Sequence, residues 1–405
     1  MAAVAVAASR SATDVARLRA LARYDALALT AAIWFLAKFL RYAFPPLFGT
    51  FQSTYGVSNA VVGSAFTALM LAYAATQFPS GALADRIGGV AVVTGGAVLA
   101  ALAALALSAT LPFLVVVVVM VLVGVGTGAH KTVAVRLLSR VYPERTGRAL
   151  GVLDTAGAFG GVVAPAAVVA ATDLADWRAV FLAGGVAGLL LAGAFVVRTP
   201  ARVPERTAAE NADGEGAYRR LFGDRRFLVF VALTLAFSFA YNGAVAFFPL
   251  YLTDAAGLPT GTANLVYAAL FGVSLVQLLT GALSDRVGRL GVIGATLALA
   301  TLGLVATLLL PAGRPLPVAV AVVAFGLGSH GFRPVRGAYL VALVPDSVAG
   351  GALGVVRTGI MGAGAVAPAV VGVVADAAGF RVAFSLLAAA MGLAVVLCGA
   401  VWLLD

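Results

Sequence analysis

Charge is scarce in this chain, and negative charge is scarcer still. Only 11% of its 405 residues are charged, with 17 Asp and Glu set against 27 Lys and Arg. A soluble domain carries about 25% charged residues. Its core could not take up an apolar share of 62% without leaving large sticky patches outside. The single cysteine, Cys398, excludes a disulfide within one chain. It stands in an apolar run and reads as a small hydrophobe, buried or lipid-facing. The two histidines, His130 and His330, lie far apart in sequence, so no metal-binding cluster is indicated. No nucleophile elbow, acid pair or Gly-x4-Gly-Lys-Ser/Thr phosphate loop is present. An enzyme, a metal and a cofactor are therefore not expected. Met1 to Tyr24 holds four Arg but no apolar stretch leading to a cleavage site, so no signal peptide is expected there. A net charge of +10 would suggest nucleic acid for a soluble protein. Here the basic residues lie mainly between apolar runs, and nucleic acid is not an expected partner.

What the chain has instead is apolar runs of spanning length, which takes roughly 20 residues. Twelve occur, near 26–48, 59–80, 90–110, 113–137, 149–171, 177–197, 227–252, 262–282, 290–310, 317–340, 351–374 and 381–403. Turn residues mark the short breaks: Tyr55-Gly56, Gly88-Gly89, Leu111-Pro112, Gly257-Leu258-Pro259 and Gly313-Arg314-Pro315. Most of the Lys and Arg outside the runs fall at one set of ends, while the opposite loops hold only Arg178, Arg314 and Arg381. The positive-inside rule then places both termini in the cytoplasm. Residues 198–226 are polar and charged, and read as a cytoplasmic linker with room for a surface helix. The expected architecture is an all-α integral membrane protein of twelve transmembrane helices. It comprises a cytoplasmic tail (1–24), a six-helix bundle (25–197), the linker (198–226) and a second six-helix bundle (227–405).

The two halves repeat. Gln77-x3-Gly81-Ala82-Leu83-Ala84-Asp85-Arg86-Ile87-Gly88 returns as Gln277-x3-Gly281-Ala282-Leu283-Ser284-Asp285-Arg286-Val287-Gly288. Ala-Pro165 in the fifth run answers to Ala-Pro368 in the eleventh, and Trp177-Arg178-x2-Phe181 to Phe380-Arg381-x2-Phe384. Same-sense repeats of six spans are related by an axis along the membrane normal, with a binding site at mid-membrane where they meet. Over nearly its whole length the chain resembles the major facilitator superfamily. The loop motif Gly-x-Leu-x-Asp-Arg-x-Gly, present twice and in register, carries that resemblance. Pro143-Glu144-Arg145-Thr146-Gly147-Arg148 also resembles the family's charged loop between spans 4 and 5. The first copy departs from the pattern after Gly88, where Gly89 replaces the usual basic residue; the second keeps Arg289. The resemblance implies a secondary transporter working by alternating access.

The motif has a physical reading of its own. Gly81 and Gly88 permit a tight helix exit and close neighbours. Asp85 stands where a carboxylate can face a helix N-terminus, and Arg86 where it can meet end-of-helix carbonyls or Glu144. Together with Gly281, Asp285, Arg286, Gly288 and Arg289, these residues are candidates for a latch on the cytoplasmic side. The plainer reading is a solvated turn.

Charges inside the runs are few and one-sided: Lys38, Arg41, Lys131, Arg136, Arg333, Arg336 and Arg357, against the single clear acid Asp154. Ionisable groups at membrane depth are costly and face cavities or pathways. Water, carbonyls or a bound anion must balance what one aspartate cannot. Lys38 and Arg41 share a helix face, as do His330, Arg333 and Arg336, and Pro334 is expected to bend that helix. Arg136 and Arg336, near the cytoplasmic ends, read as snorkelling to the interface, with a place in the Asp85 latch also open to Arg136. Asp154 either pairs with Lys131 or an Arg as a gate, or carries a proton. His130 and His330 are of the residue type that changes charge near neutral pH, although packing roles are open to both. Candidate substrate contacts are Lys38, Arg41, Tyr42, Lys131, Tyr241, Asn242, His330, Arg333 and Arg357. Family members that carry organic anions often place an Arg in span 1, and Arg41 resembles it.

The expectation is a monomeric transporter in the cell membrane, embedded in the lipid bilayer. It moves a small organic or inorganic anion, with or without protons, as symporter or antiporter. The rival is an efflux antiporter for apolar or cationic drugs. The stretch Gly161-Val-Val-Ala164-Pro165 resembles the glycine-proline motif of drug antiporters only loosely, with Ala before the proline.

Overall fold

A computed structural model describes residues 24–174, 176–199, 221–345 and 349–404. The tail (1–24, apart from Tyr24) and most of the linker (198–226), where a surface helix was expected, lie outside the described residues. Twelve helices long and apolar enough to cross a membrane make up what is described. They are α1 (Asp25–Tyr55), α2 (Asn59–Ile87), α3 (Gly89–Ala106), α4 (Phe113–Val141), α5 (Thr146–Leu174) and α6 (Arg178–Arg198). The second set is α7 (Arg225–Ala255), α8 (Thr260–Val287), α9 (Arg289–Leu309), α10 (Pro315–Leu343), α11 (Ala349–Ala378) and α12 (Phe380–Leu403).

Local chemistry sets where these helices stop. The repeated motif ends both α2 and α8 on a glycine with positive φ: Gly88 at 91° and Gly288 at 93°. Any Cβ would be strained there. The next helix starts at once, at Gly89 and at Arg289. The departure from the family pattern at Gly89 therefore falls on the first residue of a helix and leaves the turn intact. Gly56, also at positive φ, closes α1 by donating its N–H to the Gln52 carbonyl at 2.9 Å. At the other end of a span, the Asp224 carboxylate caps α7 by accepting from the Arg226 N–H at 2.8 Å.

Neighbour relations repeat between the two sets. Helix α1 packs on α5 and α6, α2 on α4, and α3 on α4 and α6; α7 packs on α11 and α12, α8 on α10, and α9 on α10 and α12. Glycines make this closeness possible. A Cβ on Gly126 of α4 would sit 2.6 Å from the Gly96 carbonyl oxygen of α3, and one on Gly303 of α9 would lie 2.7 Å from the Ala321 carbonyl oxygen of α10. Small residues at such seams let helices approach where lipid offers no hydrophobic drive. The sets meet along two seams, α2 with α11 and α5 with the outer part of α8. "Outer" here means away from the side on which α1 begins and α12 ends.

Helix interruptions fall where proline or local packing demands them. Pro45-Pro46 tightens α1 into a 3-10 turn over Pro45–Leu47. Beyond Pro249, α7 ends in a π-helical turn over Tyr251–Ala255. Helix α8 contains a 3-10 turn at Val273–Leu275, where Gln277 Nε2 bonds back to the Ser274 carbonyl at 2.9 Å. Helix α10 keeps its helical course through Pro334, from Pro315 to Leu343. Cys398 is buried and free, within 4.0 Å of the Leu290 carbonyl.

The Gly126 seam gives a direct check. Gly126→Leu forces overpacking against α3 and should destabilise the fold by about 1–3 kcal/mol, read as a lower unfolding temperature in detergent. Gly95→Leu, where an added Cβ meets nothing within 4 Å, should leave that temperature almost unchanged.

Candidate functional site

Five cations converge on one cavity of about 490 Å³ between the two helix sets. Lys38 and Arg41 come from α1, Arg333 and Arg336 from α10, and Arg357 from α11. Tyr42, Tyr73, Phe237, Ser238, Tyr241 and Asn242 complete the wall with apolar residues of α2, α10 and α11. Among the described residues no Asp or Glu lines it.

Each cation rests on a neutral partner. Lys38 Nζ donates to the Tyr42 hydroxyl at 3.2 Å and lies 4.7 Å from the centre of that ring. The Arg41 guanidinium is buried, 3.7 Å from the Tyr73 ring centroid, and its Nε donates to the Ala37 carbonyl at 3.2 Å. Its Nη2 has no hydrogen-bond partner. Arg333 lies 4.2 Å from the Tyr241 ring centroid, and Arg336 5.8 Å from that of Phe332. Such ring contacts offset part of the cost of desolvating a cation. Arg357 Nη2 donates to Gln77 Oε1 at 3.1 Å, and Gln77 Nε2 lies 3.0 Å from Met361 Sδ, so this glutamine ties α2 to α11. Asn242 Nδ2 is held by the Ser238 carbonyl at 2.8 Å. Trp34, behind this wall, has Lys38, Arg41 and Lys131 within 5.7, 5.5 and 5.4 Å of its ring.

Three expected substrate contacts and proton carriers lie elsewhere. Lys131 is paired with Asp154, between α4 and α5, and is not part of the lining. His330 sits one turn beyond Arg333, where Tyr241 and Phe271 close off the space; their ring centroids are 6.0 and 6.2 Å away. A shared helix face thus brings Arg333 and Arg336 to the cavity but leaves His330 behind its wall. His130 stacks on Trp34 at 5.7 Å. Both histidines are buried beside backbone groups, of Thr30 and Leu270, but outside hydrogen-bonding geometry.

The loop motifs form contacts within a set. Arg136 Nη1 lies 3.3 Å from Asp85 Oδ2 and 3.4 Å from the Gly81 carbonyl oxygen, joining α2 to α4. Glu144 and Arg86 are both exposed, and no ion pair joins them among the described residues. In the second copy Gly281, Asp285 and Arg286 are not drawn into the wall of the cavity, and Arg289 Nη1 instead reaches the Ala338 carbonyl at 3.3 Å. Asp25, at the start of α1, pairs with Arg198 at 3.5 Å.

A clasp that sequence reasoning missed closes the outer side. Asp376 of α11 accepts from the backbone N–H groups of Asn59 at 3.0 Å and Ala60 at 2.8 Å, and from Asn59 Nδ2 at 2.9 Å. The carboxylate thereby caps the N-terminus of α2 across the seam, the end of a helix that attracts negative charge. Below it, the Ala369 N–H donates to Thr67 Oγ1 at 3.0 Å. Phe48 packs on Phe66 and Phe247, with ring centroids 5.8 and 5.3 Å away. Tyr42 meets Phe271 at 4.8 Å. The cavity is sealed outward by these contacts and continues along Gly337, Val341 and Leu353 toward the side of the termini. Nothing in the sequence distinguishes Asp376 from an ordinary acid at a helix end. Gln77 did carry a signal, since it opens the repeated motif.

Two overlapping stretches, residues 30–276 and 260–405, match the family model for the Major Facilitator Superfamily. The chain belongs to the major facilitator superfamily. No curated protein matches it. Superfamily folds among solved structures are similar to it throughout. A bacterial homologue of the human lysosomal transporter Spinster, crystallised inward-facing and unoccupied, superposes with a TM-score of 0.75 at 17% identity, over 94% of this chain and 95% of that one. The nucleoside transporter NupG gives 0.77 at 15% identity, over 93% and 99%. At these identities the likeness is one of fold.

The clasp is open to test. Asp376→Asn removes the charge from three hydrogen bonds, each worth about 1.5–3 kcal/mol when one partner is ionised. The outer seam should open more often. With Cys398→Ser as background, a Thr50→Cys reporter on the outer side should then react faster with an impermeant maleimide than it does beside native Asp376.

Proposed function

We propose that this chain is a secondary transporter that carries a small organic or inorganic anion by alternating access. The observation that carries the reading is the cavity lined by five cations and no carboxylate. Unpaired cations at membrane depth are expensive and mark a pathway for charge. A bound anion is the partner that they lack. Arg41 and Lys38 approach it from one bundle (25–197), and Arg333, Arg336 and Arg357 from the other (227–405). Tyr42, Tyr241, Ser238 and Asn242 add hydroxyl and amide groups. The positive-inside rule puts both termini, the linker (198–226) and the open mouth in the cytoplasm of the cell membrane. The chain works as a monomer, with its site formed between its own two bundles.

Transport then follows from rocking the bundles about the site. Separating Asp376 from α2 opens the outer path. Closing the inner path brings the Lys131–Asp154 pair, the Asp85–Arg136 pair and the Asp285–Arg286–Arg289 loop toward the opposite bundle. Any coupled proton would act at Asp154, whose side chain is 64% exposed. His130 and His330 are shut away from it.

One feature favours the efflux of apolar compounds instead: the ring-lined wall of Tyr42, Tyr73, Phe237 and Tyr241. A cationic drug, however, would meet five like charges there, with Asp154 already engaged by Lys131.

Thermal-shift screening over anions and lipophilic cations separates the readings, because stabilisation grows with occupancy of the folded site. Anions should raise the unfolding temperature. Arg41→Ala and Arg333→Ala should each weaken anion transport in proteoliposomes at least about ten-fold, the equivalent of one charged hydrogen bond. Unchanged anion transport in both variants, or stabilisation by lipophilic cations alone, would sink the anion reading.

A further inference from the structure

We infer that this protein is an obligatory exchanger: its cavity changes sides only with an anion inside it, so that outward and inward anion movements are locked together. The inference rests on the anion reading above and adds the mode of transport to it.

The argument is one of charge accounting. Lys38, Arg41, Arg333, Arg336 and Arg357 share one space. Their partners there are a hydroxyl, a carbonyl, aromatic rings and an amide, all neutral. Arg41 Nη2 is buried with no hydrogen-bond partner. While the mouth is open, water solvates these groups and screens one from another. Passing to the other side requires an intermediate closed at both ends. Water is then largely expelled, and like charges repel far more strongly in the lower dielectric.

A transporter that returns empty needs an internal counter-charge that can move into the site. The acids with described side chains on the spans stand elsewhere, and Asp285 is exposed at the inner end of α8. Asp154 holds Lys131, Asp85 meets Arg136, Asp25 meets Arg198, and Asp376 caps α2. Asp254, at the outer end of α7, accepts from the Thr253 hydroxyl at 2.7 Å on the wall of a separate outer recess. With none of these in the cavity lining, the counter-charge has to come from solution, in each direction of travel. The empty protein is therefore trapped on whichever side it last released its load.

The test uses the full chain in proteoliposomes loaded with a radiolabelled anion: inorganic phosphate, succinate or citrate, whichever stabilises the protein most. Valinomycin and potassium on both sides remove any opposing potential. Efflux is timed into buffer whose potassium is balanced by the polyanion dextran sulfate, free of small anions, and into the same buffer with the unlabelled anion. Efflux should be at least about ten-fold faster with anion outside, a difference in barrier of about 1.4 kcal/mol. Arg336→Gln, and independently Arg357→Gln, lower the charge to be compensated. Each should raise the ratio of anion-free efflux to exchange, which a merely structural defect would not do. Equal rates with and without outside anion in the native protein would overturn the exchange mechanism while leaving the anion reading in place. An absence of both stabilisation and flux with all three anions would overturn the anion reading, and this inference with it.

Discussion

The constraint on which the rest of the structure depends is the price in free energy of holding positive charge at mid-membrane without a carboxylate beside it. That constraint explains why the cavity wall is rich in rings. Tyr73 covers Arg41, Tyr241 covers Arg333, and Tyr42 serves Lys38 through both its ring and its hydroxyl. It also accounts for the ion pairs standing around the cavity and outside its lining. An acid inside it would satisfy the cations permanently and leave nothing for a ligand to do. Lys131, the one central cation that has an acid, is correspondingly withdrawn from the lining.

The seams divide the work between steric and electrostatic closure. Along α2 and α11 the backbones come close at Gly63 and Gly372, where a Cβ would collide with the facing chain. This closeness is what lets Asp376 reach the first turn of α2. Further in, Gln77 spans the same seam to Arg357 and Met361. One helix pair therefore carries both the outer seal and a wall of the site. The clasp and the hydrogen bond that holds a cavity arginine thus lie on the same two helices. The seam between α5 and α8 is different in kind: it touches only along the outer part of α8 and leaves the inner part, beyond the turn at Val273–Leu275, packed against α10.

Much of the fold was legible in the sequence, because lipid imposes a simple demand. Every span must be apolar over its length, and the motif after α2 recurs after α8 with glycines that only a positive φ explains. The gathering of Lys38, Arg41, Arg333 and Arg357 was legible for the same reason, since charge in such runs has few places to go, whereas Arg336, near a helix end, read as a residue that snorkels to the interface and instead lines the cavity. What escaped was set by rotation about helix axes and by contacts across the seams. His330 shares a face with Arg333, yet one turn of α10 takes it behind Tyr241. Pro334 was expected to bend α10, which stays helical through it, and no local pattern pointed to the interruptions at Pro45–Leu47 and Val273–Leu275, the second without any proline at all. The Asp376 clasp depends on residues more than 300 apart in the chain, a relation that no local pattern encodes.

Trp34 gains a meaning from its surroundings. It is buried, stacked on His130, and approached by three cations from two helices. Of the other two tryptophans, Trp177 packs between Phe51 and Phe181 near the outer surface, and Trp402 is largely exposed on α12. The indole of Trp34 therefore sits in an electric field that the cavity's own charges create. Any movement of Lys38 or Arg41 changes that field, so the optical properties of this one ring are tied to the arrangement of charge in the cavity.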